Sequence, residues 1–581
     1  MDCVADRAFG GVFVNALDYV VLLGTILGIA CYGIWRTRDQ RTFDSYLKGH
    51  GKTRWLAIGL SVMATQASAV TFLSTPGQGY ESGLGFVQIY FGMPIALVII
   101  AAVFLPIYRR LNVYTAYEYL GQRFDKKTRL LGAAVFLIQR GLGAGITIYA
   151  PAIVLSTVLG WRLDVTIICS GLVVIIYTSL GGSDAVNVTQ KHQIAVIFMG
   201  MIAASIVLWS KLPTELTLSD TLALAGGFHK LQAVDYSLDV HKRYTFWSGI
   251  LGGTFLMLAY FGADQSQVQR YISGASLRES RLGLMFNAVF KIPMQFFILM
   301  LGVLLFVFYQ YHQRPIYFNQ AAWKNQAQHG NQQQLEELQA RFATAHNQQQ
   351  HNLQTWIEAR HHNDRSTENE ARTSALTLQE QMEAIRAQAA RTVDPQKKTN
   401  DSDYVFITFI LDYLPHGLIG LLIAAFFAAA LSAKAAELNA LASTTTVDIY
   451  RHIIHSSADD HRCLVASKYF TVMWGLVAIT FALSAALTEN LIQAVNIVGS
   501  IFYPVMLGLF MVGFFLRWIG GAAAFWGALI AQALVIVLYF SLSISYLWYN
   551  FIGCATCMIF SVLLQTVLSA PTHPAGFPPI E

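Results

Sequence analysis

Apolar runs of about 20 residues recur almost from one end of this 581-residue chain to the other. A helix needs about this length to cross the roughly 30 Å hydrocarbon core of a bilayer. Only 13% of the residues are charged, against about 25% in soluble globular domains. The pattern predicts an all-α, polytopic membrane protein. It excludes a membrane β-barrel, whose strands would alternate polar and apolar residues over short segments.

About thirteen transmembrane helices are predicted from these runs. The loops after the first and the third span are rich in Lys and Arg, and such loops stay on the cytoplasmic side. Counting from them places the N-terminus outside and the C-terminus in the cytoplasm of a multi-pass cell-membrane protein. The formal charge of +5 is small, so no nucleic-acid partner is expected. The predicted spans are 17–35, 55–82, 85–108, 128–160, 163–182, 186–210, 244–263, 284–311, 412–447, 465–488, 490–516, 519–541 and 546–570.

The chain divides by pattern into a few parts. Residues 1–54 hold a leading span and a cytoplasmic loop, and 517–581 hold trailing helices and a tail. Residues 312–403 are polar and rich in Gln, His, Asn and Glu. Helical spacing of their apolar residues predicts an external insertion with one or two amphipathic helices. Those apolar residues are Leu335, Leu338, Phe342, Leu378, Met382 and Ile385.

Two spans carry signs of an interrupted helix. In the second span, polar residues from Thr65 to Thr75 precede Pro76, Gly77 and Gly79, where we expect the interruption. A later span carries Gly249, Gly252 and Gly253 and ends at Asp264. Interrupted helices expose carbonyl and amide groups that can hold an ion or a substrate, whereas small residues also permit tight packing. Two such helices, opening 55–210 and then 244–311 with 404–516, suggest inverted repeats with the substrate near the midplane.

Charged side chains within spans mark a pathway, a site or a buried pair. Arg140 lies about twelve residues into its span, near the bilayer midplane, and its guanidinium matches a carboxylate. The carboxylate belongs either to a substrate or to a protein acid such as Glu437 or Asp264. Lys291 is a second buried cation with the same two interpretations.

Several motifs together resemble the sodium:solute symporter family. They are YTAYEYLGQRF (114–124), IYTSLGG (176–182), GADQSQVQRYISG (262–274) and ELNALASTTTVDIY (437–450). The block GITIYAPAIVLSTVLGW (145–161) looks most like the branch that carries small anions, monocarboxylates and vitamins. The resemblance implies a LeuT-type fold of ten core helices in a 5+5 inverted repeat. It also implies solute uptake, not enzymatic activity, driven by the sodium gradient, with Na⁺ as coupling ion.

The resemblance further implies a sodium site between the first and the eighth core helices. Matching the motifs assigns its backbone oxygens to Ala64 and Ala67 in the first helix. In the eighth helix it assigns Ala429, Ser432 and Ala433. Small residues there let two backbones approach and present oxygens to a hard cation.

Two departures from the family pattern affect coupling. Ala433 stands where relatives have a second hydroxyl, and Gln190 stands where they have an acid, which argues against a second sodium site. Lys434 lies beside the weakened site and three residues before Glu437. It forms either an intrahelical pair with Glu437 or a substitute for the cation, in which case protons would drive transport.

The predicted substrate contacts also follow from the resemblance. They favour an organic anion or a sugar acid, because few sugar-type acceptors remain and Arg140 is added. Two rivals come from other classes: a passive solute channel, and a transporter-like receptor that signals through the insertion. A small-molecule substrate and the lipid bilayer are the expected partners, and no obligatory protein partner is indicated. The predicted substrate residues are Gln66, Thr71, Tyr90, Arg140, Tyr260, Lys291 and Asn496.

Overall fold

The computed structural model describes residues 15–36, 54–111, 113–330, 332–394, 401–455, 457–484 and 490–568, and this part of the chain contains no β-strand. Up to the polar insertion, its α-helices are α1 (Ala16–Arg36), α2 (Trp55–Gln66), α3 (Ala69–Ser82), α4 (Met93–Ile99), α5 (Leu105–Leu111), α6 (Ala116–Arg123), α7 (Lys126–Leu159), α8 (Leu163–Ser210), α9 (Leu218–Gly227), α10 (Gly253–Gly262), α11 (Gln265–Ile272) and α12 (Leu277–Tyr311).

The remaining α-helices are α13 (Gln320–His329), α14 (Gln332–His361), α15 (Arg365–Val393), α16 (Val405–Tyr413), α17 (Leu418–Thr444), α18 (Asp460–Ser484), α19 (Leu491–Phe515), α20 (Gly521–Ser541) and α21 (Tyr546–Val567). Short 3-10 or π-helical segments are Gly83–Tyr90, Ile100–Phe104, Ser248–Gly252, Ser402–Tyr404 and Thr445–Ile454.

Within the part of the chain that the structure describes, eight helical stretches are long and apolar enough to cross a bilayer, and five shorter apolar helices add to them. The chain is therefore a multi-pass helical membrane protein, as its composition predicts. The count of thirteen stays a prediction, because α8 is a single helix of 48 residues that covers both spans predicted over 163–182 and 186–210. At about 1.5 Å per residue it is about 72 Å long, more than twice the hydrocarbon thickness. The side chains of 180–193, including Gln190, lie outside the described residues.

The first interrupted helix breaks between α2 and α3, at Ala67 and Ser68. The prediction that Pro76, Gly77 and Gly79 cause the interruption is wrong, because α3 continues through all three. Interruption of a helix leaves backbone groups without intrahelical partners. The break therefore places the free carbonyls about two to three helical turns earlier than the Pro/Gly pattern indicates.

The two glycines of α3 serve close packing instead. A Cβ atom at Gly77 would lie 2.1 Å from the carbonyl oxygen of Ser402, and one at Gly79 would lie 2.3 Å from that of Leu299. Contacts this short exclude any side chain. The tight-packing interpretation therefore holds for these positions.

The second interrupted helix is present, but it breaks at the end of the span predicted over 244–263 and not at Gly249, Gly252 and Gly253, through which the helix is continuous. α10 ends at Gly262 and α11 begins at Gln265, with Asp264 as the N-cap of α11. The Asp264 carboxylate accepts a hydrogen bond of 2.8 Å from the Ser266 N–H. Aspartate in this position satisfies an N–H group that the interruption would otherwise leave free.

Helix α17 lies at the centre of the membrane helices, and most of its apolar residues are buried. It packs against α1, α7, α8 and α18. A Cβ atom at Gly420, near its start, would lie 2.4 Å from the Asp18 carbonyl oxygen. The alanine-rich sequence of α17 lets four helices approach one backbone closely, which larger side chains would prevent.

The polar insertion forms a hairpin, here meaning α14 and α15. These helices of 30 and 29 residues pack along each other and are joined by a three-residue turn. The apolar residues predicted at helical spacing face one another in a separate small core, which α13 and residues 316–317 complete. One end of the hairpin therefore has an apolar interior of its own, whereas Leu353, Trp356 and Ala375 near the other end join the core of the membrane helices.

Candidate functional site

The two interruptions and α17 come together in the protein interior. α11 packs against both α2 and α17, and α2 also packs against α17. α7 contacts α17 and α19, and α12 contacts α2 and α3. These helices carry most of the predicted functional side chains, and each of them packs against at least one other of the set.

The predicted sodium ligands lie on α17 and on either side of the first interruption. Ala64 and Ala67 are buried, and their carbonyl oxygens accept no hydrogen bond from the described residues. Ala429 and Ala433 are buried within α17. The side chain of Ser432 lies outside the described residues. Free carbonyls at a helix interruption suit a hard cation such as sodium.

Four charged side chains meet beside these positions, and all are at most 8% exposed. Lys434 Nζ donates to Glu437 Oε2 at 2.6 Å and to the Ala144 carbonyl oxygen at 2.9 Å. Arg140 Nη1 donates to Glu437 Oε1 at 3.2 Å. Arg140 Nη2 pairs with Asp264. We call Arg140, Asp264, Lys434 and Glu437 the central network.

Neutral side chains complete the central network. The Tyr503 hydroxyl donates to Asp264 Oδ2 at 2.6 Å, and Arg140 Nη2 donates to Ser266 Oγ at 2.8 Å. Thr147 Oγ1 donates to Glu437 Oε2 at 3.2 Å. The sequence prediction missed Tyr503, Ser266 and Thr147. The Asp-Gln-Ser order at an N-cap was a usable signal for Ser266, since such a cap bonds to the residue two positions later.

The network contains two cations and two carboxylates, so its formal charge is zero. Arg140 meets both protein acids that the sequence named as its alternative partners. Lys434 forms the intrahelical pair with Glu437. Removing one member of a buried pair leaves an uncompensated charge and costs about 3–5 kcal/mol, so the four groups depend on one another.

Lys291 on α12 differs from these charges because no described residue is an acidic partner for it. The residue is 2% exposed, and no ion pair reaches it within the described part of the chain. Its ammonium lies 5.5 Å from the centroid of the Tyr90 ring. One turn later, Gln295 Nε2 donates to Thr75 Oγ1 at 3.2 Å, while Gln295 Oε1 is buried without a described partner. The sequence prediction missed Gln295, although it lies four residues after Lys291 on the same helix face.

The other predicted substrate residues have mixed surroundings. Thr71 Oγ1 donates to the Gln66 carbonyl oxygen at 2.9 Å, and this hydrogen bond connects α2 and α3 across the first interruption. Gln66 Nε2 is buried and has no hydrogen-bond partner among the described residues. The Tyr260 ring centroid lies 5.6 Å from Arg140 Cζ. Asn496 Nδ2 donates to the carbonyl four residues earlier in α19, at 2.9 Å.

Known proteins resemble this chain over most of its length. The model of the sodium:solute symporter family matches residues 46–336 and 382–531. The human sodium/iodide cotransporter is 32% identical over 300 residues, covering 51% of this chain and 46% of that protein. Human sodium-coupled monocarboxylate transporter 1 is 37% identical over 278 residues, covering 47% of this chain and 45% of that protein. The chain thus spans about half the length of these curated relatives.

A solved structure has the same fold. A Na⁺-coupled sialic acid symporter in a substrate-bound outward-open state superposes with a TM-score of 0.72 at 23% identity. The superposition covers 96% of this chain and 99% of that one. The predicted all-α membrane fold and the predicted resemblance are both confirmed.

Proposed function

The chain belongs to the sodium:solute symporter family, and we propose that it is a secondary active symporter that imports a small organic anion on the sodium gradient. The family and the relatives are transporters, not enzymes. Iodide and monocarboxylates, the solutes in the relatives' names, are both small anions. An anionic substrate, including a sugar acid, therefore agrees with the branch whose motifs this chain carries.

Lys291 is the observation that carries the proposal. A buried ammonium without a carboxylate is costly, and a substrate anion would supply the missing partner. The Tyr90 ring and the unpaired Gln295 oxygen give the same position an aromatic wall and an acceptor for a hydroxyl or protonated group. Gln66, with a buried unpaired amide nitrogen, adds a donor at the first interruption. We assign Arg140, Tyr260, Thr71 and Asn496 to the border of this site.

Coupling would arise because ion and substrate each bind one conformation better than another. Sodium at Ala64, Ala67, Ala429, Ser432 and Ala433 would hold α2 against α17 and stabilise the outward-open state. The Arg140–Asp264 pair joins the second interruption to α7. A substrate carboxylate near Arg140 would compete with Asp264 and so loosen α11 from the helices behind it.

The proposed membrane orientation has the N-terminus and the hairpin outside and the C-terminus in the cytoplasm. Asp18, at the start of α1, accepts hydrogen bonds of 2.6 Å and 3.1 Å from the N–H groups of Gly417 and Gly420 at the start of α17. The starts of α1 and α17 therefore share a side. The basic residues Arg109 and Arg110 end α5, and the positive-inside rule assigns them to the cytoplasm. The proposed repeats, 55–210 and 244–311 with 404–516, each open on an interrupted helix.

Uptake into proteoliposomes tests the proposal. A panel of radiolabelled monocarboxylates and sugar acids is offered with an inward sodium gradient or with potassium. We expect saturable, sodium-dependent uptake, and Lys291→Met should raise the half-saturating concentration at least about tenfold because one charge-assisted contact is lost. Lys468→Met, at an exposed position of α18, is the matched control. Uptake that neither saturates nor depends on sodium would identify a passive channel, and full activity in Lys291→Met would refute the assigned site.

Proton coupling through Lys434 is the second candidate function. It is favoured by the missing hydroxyl at Ala433 and by a lysine ammonium held beside the predicted sodium site. Thermal stabilisation of the purified protein separates the two candidates. A site filled at a hundredfold excess over Kd stabilises by about 2.7 kcal/mol. A sodium-specific shift that Ser432→Ala removes supports sodium coupling. Thermal stability that does not depend on sodium but depends on pH, with a pH dependence that changes in Lys434→Ala, supports proton coupling.

A further inference from the structure

The segment that joins α9 to α10 has an ordered course without regular secondary structure. Residues 231–245, which we call the strap, contain no helix or strand. The Asp235 N–H donates a hydrogen bond of 3.0 Å to the buried side chain of Gln88. The Ser545 N–H, at the N-cap of α21, donates to the Val240 carbonyl oxygen at 2.9 Å. The strap is therefore held against the segment before α4 and against the start of α21.

The strap turns large apolar side chains away from the protein. Tyr236, Leu238 and Val240 are 69%, 76% and 42% exposed. At the end of α20 and just after it, Phe540 and Leu542 are 81% and 48% exposed, and the hydrogen bond from the N-cap of α21 brings this turn beside the strap. Single exposed apolar residues are normal on a protein surface, but a contiguous patch marks a contact with protein or membrane. We call these five residues the apolar patch.

The apolar patch lies where several helices reach the end of their apolar sequence. α10 and α21 begin beside the strap and α20 ends there, and all three are apolar. Trp247, which precedes α10, is 44% exposed, and its Nε1 donates to the Tyr236 carbonyl oxygen at 3.1 Å. Tyr and Trp concentrate at membrane–water boundaries, because each joins an apolar ring to a polar tip. This arrangement is typical of the headgroup level of a bilayer.

We propose that the apolar patch inserts into the headgroup and upper acyl-chain region of the lipid leaflet on the hairpin side. The strap follows α9, which packs against the hairpin: the rings of Phe228, at the end of α9, and Trp356 are 6.0 Å apart. Val537 extends the exposed apolar surface along the membrane helix α20, so the patch is continuous with a surface that lipid covers. The lipid contact would hold the start of α10, the first half of the second interrupted helix, at a fixed depth.

The composition of the strap limits the depth and the kind of this contact. Irregular backbone that faces lipid does not enter the hydrocarbon region, so the strap backbone stays among the headgroups and only its side chains reach the acyl chains. Lys242 pairs with Asp235 at 2.8 Å, and Asp239 and Arg243 add one exposed charge of each sign. With two acids and two bases, the strap has no net charge to attract anionic lipid. Burial of apolar area therefore supports the contact.

Spin-label accessibility tests the proposal in phosphatidylcholine nanodiscs that each hold one copy of the full-length protein. A nitroxide is attached at Leu238→Cys or at Tyr236→Cys. Its collisions with oxygen, which is enriched in lipid, are compared with its collisions with a water-soluble nickel chelate, and labelled wild type gives the background from the native cysteines. Thr344→Cys, at an exposed position of α14, is the aqueous control. Leu476→Cys, at an exposed position of the membrane helix α18, is the hydrocarbon control.

Both strap labels should collide more with oxygen and less with the nickel chelate than the label of Thr344→Cys. Their depth should be about 5–10 Å into the boundary between headgroups and acyl chains, shallower than the label of Leu476→Cys. Accessibility equal to that of the aqueous control would overturn the proposal, because the apolar patch would then face water. Low collision rates with both reagents would also overturn it, because protein would then cover the patch. None of these outcomes depends on transport activity.

Discussion

Replacing Glu437 by Met should destabilise the protein more than replacing Lys434 by Met. Without Glu437, buried Lys434 keeps a single hydrogen bond among the described residues, to the neutral carbonyl of Ala144. Without Lys434, Glu437 keeps Arg140 at 3.2 Å and Thr147 at 3.2 Å. Breaking a buried pair costs about 3–5 kcal/mol. We place Glu437→Met near the upper end of this range and Lys434→Met at or below the lower end.

The double variant tests the electrostatic reasoning. Lys434→Met with Glu437→Met returns the network to zero formal charge, and Arg140 keeps Asp264, Ser266 and Tyr503. The double variant should therefore lose less unfolding free energy than Glu437→Met alone, with a coupling energy between the two positions of about 2 kcal/mol or more. The double-mutant cycle is built from unfolding free energies, which are measured in mixed detergent micelles by tryptophan fluorescence. If the losses of unfolding free energy in the two single variants sum to that of the double variant within about 0.5 kcal/mol, these charges do not depend on each other and the reasoning is refuted.

Three further predictions concern single positions. Gly77→Ala should lower the unfolding free energy by about 1–3 kcal/mol or more, because its Cβ would meet the Ser402 carbonyl, while Gly24→Ala, with no atom within 4 Å, should not lower it in the same assay. Burial raises the pKa of Asp403 to about 7 despite hydrogen bonds from the Leu491 N–H. The folded state therefore holds this proton more tightly than the unfolded state, with its ordinary pKa near 3.9, and the stability contribution is lost as pH rises from about 4 to 7. Asp403→Asn should flatten that part of the stability–pH curve and be no less stable than wild type at pH 8; an unchanged curve would contradict the assignment. Tyr80→Phe should change the melting temperature little, because the hydroxyl makes no hydrogen bond among the described residues.

The membrane class, the family and the presence of two interrupted helices could be predicted from sequence, because each depends on local composition or a contiguous motif. The position of the first interruption could not. Pro76 lies in a helix that tolerates it, and the glycines beside it are explained only by Ser402 and Leu299, which are distant in sequence. The glycines permit close approach of another backbone, but the local pattern does not indicate which segment approaches.

The partners of the buried cations show the same limit. Periodicity and spacing indicate that Arg140 and Lys291 are buried, and the sequence offers the same two interpretations for each. Only the packing of α7, α11 and α17 decides that Arg140 meets two acids. Lys291 on α12 meets an aromatic ring instead. Which charge is left for a substrate is a property of helix arrangement.

The neutrality of the central network has a consequence for electrophysiology. Moving one elementary charge through a potential of 100 mV changes its energy by about 2.3 kcal/mol. Two cations and two carboxylates that move as a unit carry no gating charge, so the membrane voltage exerts no net force on them. Any current or voltage dependence must then come from the coupling ion, the cargo or Lys291. One sodium ion carried with one monovalent anion would cross without moving net charge, and its transport would be electrically silent.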